Sequence, residues 1–197
     1  MKTKLIWVSA LVMMWGFTAC NSSSNSESQE AAKDSTEASI DAMAPSDSAA
    51  MAMKEDADFM MEAASGGMME VELGQLASNK AVSSDVKKFA KMIVTDHTKA
   101  NNELKALASQ KNITIPAMLS EKHQKMVNDL TAKTGKEFDK KYIDMMVDDH
   151  KEDIKKFEKA SEKCNDADVK AFAAKTLPTL KHHLEMAEKT EKMTDKM

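Results

Sequence analysis

From about residue 55 to the C-terminus, apolar positions recur at intervals of three and four, the period of a helix with one buried face. Five such segments can be followed. The first, over about 55–80, carries Phe59, Ala63, Gly66, Glu70, Leu73 and Ala77 on one stripe. The second, over about 84–111, carries Val86, Phe89, Ile93, His97, Ala100, Leu104 and Leu107. A short segment over about 120–132 follows. The fourth, about 136–163, runs through Ile143, Met146, His150, Ile154 and Phe157, and the fifth, about 167–194, through Val169, Phe172, Thr176, Leu180, His183 and Ala187. Ala, Glu, Lys, Leu and Met dominate these stretches, all good helix formers, and no β-branched run interrupts them. Ser84 and Ser120 stand where N-caps belong, Pro116 breaks the chain after the second segment, and Gly135 separates the short helix from the fourth segment.

The turns near residues 82 and 165 are short, so the long segments pair as two helical hairpins. The connector between the hairpins is roughly twenty residues, and a short helix within it rises ~1.5 Å per residue, enough to return along the length of a bundle. This pattern predicts an all-α, ferritin-like four-helix bundle with a short crossover helix between the two hairpins: up, down, crossover, down, up.

Each long stripe contains one ionisable residue where an apolar one would serve: Glu70, His97, His150 and His183. Counted from the hairpin turns at ~1.5 Å per residue, all four fall near mid-height, within about 8 Å of one another along the axis. A carboxylate and three imidazoles converging in a dry interior need partners. Three His and one Glu suit one divalent transition metal (zinc, iron or copper). The alternative is a hydrogen-bonded polar layer that sets helix register without metal.

Neighbouring residues take milder readings. Asp96, Asp148 and Asp149 adjoin the histidines and are expected to face solvent, whereas Asp153, one turn after His150, is placed to accept a hydrogen bond from that ring. Met146 and Met186 read as adaptable core fillers. His123 reads as structural, and His182, about 100° round the helix from His183, as exposed. Gly66 and Gly67 mark either a close helix approach or a break in the first helix. Pro178 removes one helical N–H and bends the last helix a turn before His183, tilting that ring inward.

Residues 55–197 resemble a bacterial envelope family catalogued as domain of unknown function 4142. The resemblance rests on GGMMEVELGQLA, KKFAKMIVTDHTKANNELKALA, FDKKYIDMMVDDHKEDIKKFEKA and AFAAKTLPTLKHHLEMA. It implies a ferritin-like fold and an envelope location, and it places the family's characteristic polar positions at Glu70, His97, His150 and His183. It implies no reaction. The spacing also departs from di-iron ferritins, whose sites use Glu-x-x-His: the residues three before His97, His150 and His183 are Val94, Val147 and Leu180. Neither a dinuclear carboxylate centre nor ferroxidase activity follows from such a fold.

The first twenty residues, MKTKLIWVSALVMMWGFTAC, have a basic head, an apolar stretch too short to span a bilayer, and small residues before Cys20. The ending FTAC resembles a lipobox, with Phe17 where Leu is usual. Residues 1–19 read as a lipoprotein-type signal peptide and Cys20 as the lipidated first residue of the mature chain. Residues 20–54, rich in Ser, Ala and acids, are expected to form a disordered tether roughly 30 Å long ahead of a bundle domain over 55–197. Cys164, the other cysteine, lies in the turn EKCNDAD and has no disulfide partner if Cys20 is lipidated.

The net charge is −4, and loss of residues 1–19 with their two lysines makes it −6. The chain contains no arginine. An acidic, arginine-free protein is unsuited to nucleic acid, which is bound through basic patches and arginine forks. No nucleophile beside a base, phosphate loop or motif of a known enzyme class is present. The expected partner is the membrane, reached through the lipid anchor, on the periplasmic or outer-membrane face of the bacterial envelope. Two functional classes remain open: a metal-binding envelope lipoprotein, and a non-catalytic helical interaction module with a polar core layer.

Overall fold

The computed structural model describes residues 21–196, so the signal-like segment and Cys20 lie outside the described residues. Those residues form six helices: α1 (Asn21–Met43), α2 (Asp47–Lys80), α3 (Ser84–Gln110), α4 (Glu121–Thr131), α5 (Gly135–Lys163) and α6 (Ala167–Thr194). The chain is all-helical over this span. No described helix is long and apolar enough to cross a membrane.

α2 pairs with α3 and α5 with α6, while α3 also packs on α6 and α2 on α5. Hydrogen bonds at the two ends give the directions. Asp139, at the start of α5, accepts from the backbone N–H of Val82 at 3.0 Å and of Ser83 at 2.6 Å in the α2–α3 turn. Asp56, in α2, accepts from the N–H of Asn165 at 2.9 Å and of Asp166 at 2.7 Å in the α5–α6 turn. Adjacent long helices are therefore antiparallel and diagonal ones parallel. At the Asp56 end, Lys111 closes the bundle by bridging Asp166 at 2.6 Å and Asp168 at 2.7 Å. The connector carrying α4 runs from there back to the start of α5, packed against α2 and α5.

Each hairpin turn is thus held by a buried carboxylate from the other hairpin. The two aspartates are 83 residues apart, and the same offset relates Ser83 to Asp166, the N-caps of α3 and α6. It also aligns DVKKFA at 85–90 with DVKAFA at 168–173. The two hairpins are an internal repeat, in which Asp153 occupies the position of Glu70.

The buried apolar residues divide into two clusters. One contains Met69, Leu73, Ile93, Met146 and Ala187; the other contains Met60, Leu104, Phe157 and Leu180. On every long helix, the ionisable stripe residue stands between members of the two clusters. The polar layer is a partition across the middle of the core.

One local expectation is corrected and others are resolved. The α3 cap is Ser83, whose side chain accepts from Asp85 and Val86 N–H, one residue earlier than expected. α3 ends at Gln110, in agreement with the expected bound near 111, and Asn112 just beyond it adopts φ 57. Gly66 and Gly67 do not break α2, which runs on to Lys80. Gly67 serves close approach instead: a Cβ there would overlap the Asn101 side chain of α3, whereas one on Gly66 would find ordinary contact distances. α6 continues unbroken through Pro178.

The largest correction concerns residues 21–54. Instead of a disordered tether, they form α1 and the first turns of α2, so the folded region extends well ahead of residue 55. α1 packs on α2 and α4, burying Ala32 and Ile40. Its buried face is otherwise polar. Asn25 Nδ2 donates to Gln124 Oε1 at 3.1 Å, Gln29 Nε2 donates to the Met118 carbonyl at 2.7 Å, and Thr36 Oγ1 accepts from Thr114 N–H at 2.9 Å. The irregular connector has backbone groups without helical partners, and α1 satisfies them. That pairing requires polar residues at helical spacing, so hydrophobic periodicity does not register it.

Removing residues 21–46 should therefore destabilise the bundle. Loss of Ile40 and Ala32 burial is worth roughly 2–3 kcal/mol, and the connector loses the hydrogen bonds that Asn25, Gln29, Ser35, Thr36 and Met43 make to it. A drop in melting temperature of about 5 °C or more relative to residues 21–197 is expected. An unchanged melting curve would show that α1 does not contribute to the fold.

Candidate metal centre

His97 on α3, His150 on α5 and His183 on α6 meet Glu70 on α2 in the partition between the two apolar clusters. All four are buried, with His150 and His183 wholly enclosed. His183 is brought in by the stripe of Leu180 and Ala187, and the adjacent His182 is exposed.

Three ring nitrogens face one point. His97 Nε2 lies 3.2 Å from His183 Nδ1, and His150 Nε2 lies 3.3 Å from the same atom. The opposite nitrogens of two rings are occupied. His150 Nδ1 donates to the Met146 carbonyl at 2.9 Å, one turn back on α5. His183 Nε2 donates to Asp96 Oδ2 at 2.9 Å. With the protons on those outer atoms, His150 Nε2 and His183 Nδ1 present lone pairs to each other. A proton on His97 Nε2 can serve His183 but leaves His150 Nε2 unsatisfied.

Glu70 touches two of the rings. Its Oε2 is 2.6 Å from His97 Nδ1 and its Oε1 is 3.5 Å from His150 Nε2. Neither contact is aligned as a hydrogen bond, so both oxygens remain unpartnered in the interior. Burial, reinforced by Asp153, raises the Glu70 carboxyl well above its ordinary range. Burial also lowers His97 and His183 to about 4 and pushes His150 well down. The imidazoles are therefore neutral at neutral pH, the form that can ligate a metal.

The spacing fits a single ion. Nitrogens bound tetrahedrally at ~2.0 Å from a metal stand about 3.3 Å apart. Metal-bound histidines commonly have the outer N–H held by a carbonyl or carboxylate in this way, which fixes the tautomer and aims the ring. Glu70 Oε1 approaches this point from the His150 side, 3.5 Å from its Nε2, while the compact cluster of ligand atoms is that of the three histidines.

The aspartates depart from expectation. Asp96 does not simply face solvent but orients His183. Asp149, expected at the surface, is 6 % exposed. Asp148 is exposed as expected, and Asp153 is largely buried beside Lys156 rather than bonded to the His150 ring. The ring of His150 takes the Met146 carbonyl instead. The missed contacts involve residues next to a histidine in sequence, and helical phase alone sends them away. They are brought in by the neighbouring helices α6 and α2. His123 is structural: its Nδ1 is 2.7 Å from Ser65 Oγ, which also accepts from Ser120 N–H. Cys164 is a free, buried thiol pushed up to about 12, first by burial and then by Asp56.

Fold and site together define an all-α bundle with a histidine-rich polar centre. The chain belongs to the family described as Domain of unknown function (DUF4142), whose model matches residues 41–190. Among curated proteins, none matches the chain. The structure is similar to that of "CopM in the Cu(II)-bound form", with a TM-score of 0.60 and 17% sequence identity, over 70% of this chain and 95% of that one. At that identity the likeness concerns the fold.

The depressed imidazoles give metal-free stability a pH dependence of known sign. An unfolded histidine takes a proton near pH 6.5, whereas folded His183 resists protonation until about pH 4. Stability contributed by the neutral ring is thus lost as pH falls through that window, by about 2 kcal/mol between pH 7 and 5. Denaturant unfolding with a chelator present should show wild type losing that much more than His183→Gln. Equal losses would mean His183 is not held neutral.

Proposed function

We propose that this protein is a lipid-anchored envelope protein whose bundle, in the ferritin-like order of helices, binds one divalent transition metal. His97 Nε2, His150 Nε2 and His183 Nδ1 supply the nitrogen donors, and Glu70 Oε1 the fourth. The observation that carries this reading is the convergence of three neutral imidazoles, two with their lone pairs fixed toward each other 3.3 Å apart. One proton cannot satisfy all three nitrogens; one cation does. Imidazole donors suit zinc, iron(II) and copper, with copper(II) bound most tightly among the first-row divalent ions. The shared fold with a protein described in a Cu(II)-bound form supports trying copper first. The lipid anchor rests on the Cys20 signal pattern. Because α1 begins at Asn21, the bundle would sit close to the membrane rather than at the end of a long tether.

Each residue has a distinct part. Asp96 and the Met146 carbonyl fix the tautomers of His183 and His150. Glu70 holds a proton 2.6 Å from His97 Nδ1 in the metal-free state. Moving that proton to His97 Nδ1 frees Nε2 to give up its own, and Glu70 becomes a carboxylate. Metal uptake at neutral pH therefore releases about one proton.

Titrating chelator-treated protein with copper(II), zinc and iron(II) should raise the melting temperature by roughly 10 °C when free metal is about a thousandfold above Kd. His183→Ala should abolish the rise and His182→Ala should keep it. Calorimetry in buffers of different ionisation heat should find about one proton released by wild type and almost none by Glu70→Gln. If no metal raises the melting temperature, the layer is a hydrogen-bonded register device and the reading fails.

The anchor has its own test. Intact-mass analysis of native protein should show a diacylated or triacylated Cys20 as first residue, and Cys20→Ser should release the protein from membranes or block its maturation. An unmodified Cys20 would overturn this part.

A further inference from the structure

Beside the imidazoles lies a second cluster, in which Glu70 is joined by two aspartates that the single-metal site does not use. Asp149 and Asp153, one turn apart on α5, meet Glu70 from α2, and one oxygen of each falls within 4.8 Å of the others. Glu70 is 1 % and Asp149 6 % exposed. Asp149 Oδ2 and both Glu70 oxygens have no hydrogen-bond partner. The nearby positive group is Lys156, 3.8 Å from Asp153 Oδ1, but it is already shared with Glu62 and Glu152 at 3.0 Å each. Three buried carboxyl groups this close require either protons or a cation between them.

Asp153 links the cluster to the surface. A cleft of about 470 Å³ between α2 and α5 is lined by Glu55, Asp58, Glu62, Asp153 and Phe157. A cavity of about 20 Å³ on the inner side is lined by Glu70, His97, Asp153 and Phe157. Asp153 and Phe157 belong to both, so Asp153 stands at the threshold. The internal repeat makes the arrangement intelligible: Asp153 is the second hairpin's counterpart of Glu70, and the two meet where α2 packs on α5.

We propose that Glu70, Asp149 and Asp153 form a second cation site, for a hard, oxygen-preferring divalent ion, adjoining the three-histidine centre. Carboxylate oxygens favour ions of the magnesium, calcium and manganese(II) class over those preferred by imidazole. The two sites differ in donor chemistry and share Glu70 as a common wall. This goes beyond the single-metal reading and does not require it, since the carboxylates can take their ion whether or not the imidazoles take theirs.

Manganese(II) is the probe, because its paramagnetic resonance distinguishes free from protein-bound ion. Full-length protein, metal-free or first loaded with one equivalent of zinc, should bind one manganese(II) per chain. Asp149→Asn and Asp153→Asn should each weaken that binding tenfold or more while zinc stoichiometry is unchanged. His183→Ala should retain manganese(II) within about threefold, so failure of the histidine centre is read separately from failure of this one. Asp153, at the edge of the cluster with its side chain 14 % exposed beside Lys156, provides a variant that folds even if Asp149→Asn does not, with circular dichroism as the check. Absence of manganese(II) binding in both wild-type forms would show that protons alone satisfy the carboxyls and overturn the proposal. So would binding that survives both Asn variants, or binding lost in His183→Ala, which would place the ion on the imidazoles.

Discussion

The structure depends on a polar layer that must be satisfied in the middle of an apolar core. Glu70, His97, His150 and His183 come from four different helices, and each would be costly to bury alone. Together they restrict how the two hairpins can meet. A shift of either hairpin by one turn would set His150 and His183 against leucine and phenylalanine, and Glu70 and His97 likewise. The layer therefore acts on register first. Its metal-binding capacity arises because the same convergence leaves nitrogen lone pairs facing one another.

Two further carboxylates hold the register from the ends. Asp56 and Asp139 each bind the backbone of the opposite hairpin's turn, so each turn is completed only when the hairpins dock correctly. Their relation by one offset makes the bundle a duplicated hairpin. The duplication is imperfect at the centre, where the position equivalent to His97 is Leu180 and that equivalent to Ala100 is His183. The histidines thus sit one turn apart along equivalent helices, which makes the site asymmetric. Three rings gather on one side and three carboxyl groups on the other.

Within that asymmetry the protein separates two kinds of chemistry. Around the rings of α3, α5 and α6, desolvation keeps the imidazoles neutral, and the outer N–H groups of His150 and His183 are tied to the Met146 carbonyl and Asp96. On the α2–α5 side, desolvation holds Glu70 and Asp149 up, each reinforced by its carboxylate neighbours. Glu70 belongs to both sides. Its proton is the natural currency between the filled and unfilled states of the histidine centre.

The helices, their hairpin pairing and the four ionisable stripe residues were legible in the sequence, because helical period and distance from a turn place a residue's face and depth without tertiary information. Position along a helix was enough to bring Glu70, His97, His150 and His183 to one level. Tertiary structure decided everything that depends on a neighbouring helix. Asp96 and Asp149 point away from the histidines by helical phase on their own helices, yet α6 and α2 pack where those side chains emerge. α1 escaped the hydrophobic pattern because its contacts are hydrogen bonds to a connector whose free backbone groups exist only once the bundle is formed. The ring tautomers were likewise beyond the sequence. They depend on which atom stands within about 3 Å of each nitrogen, and that is a property of packing rather than of residue order.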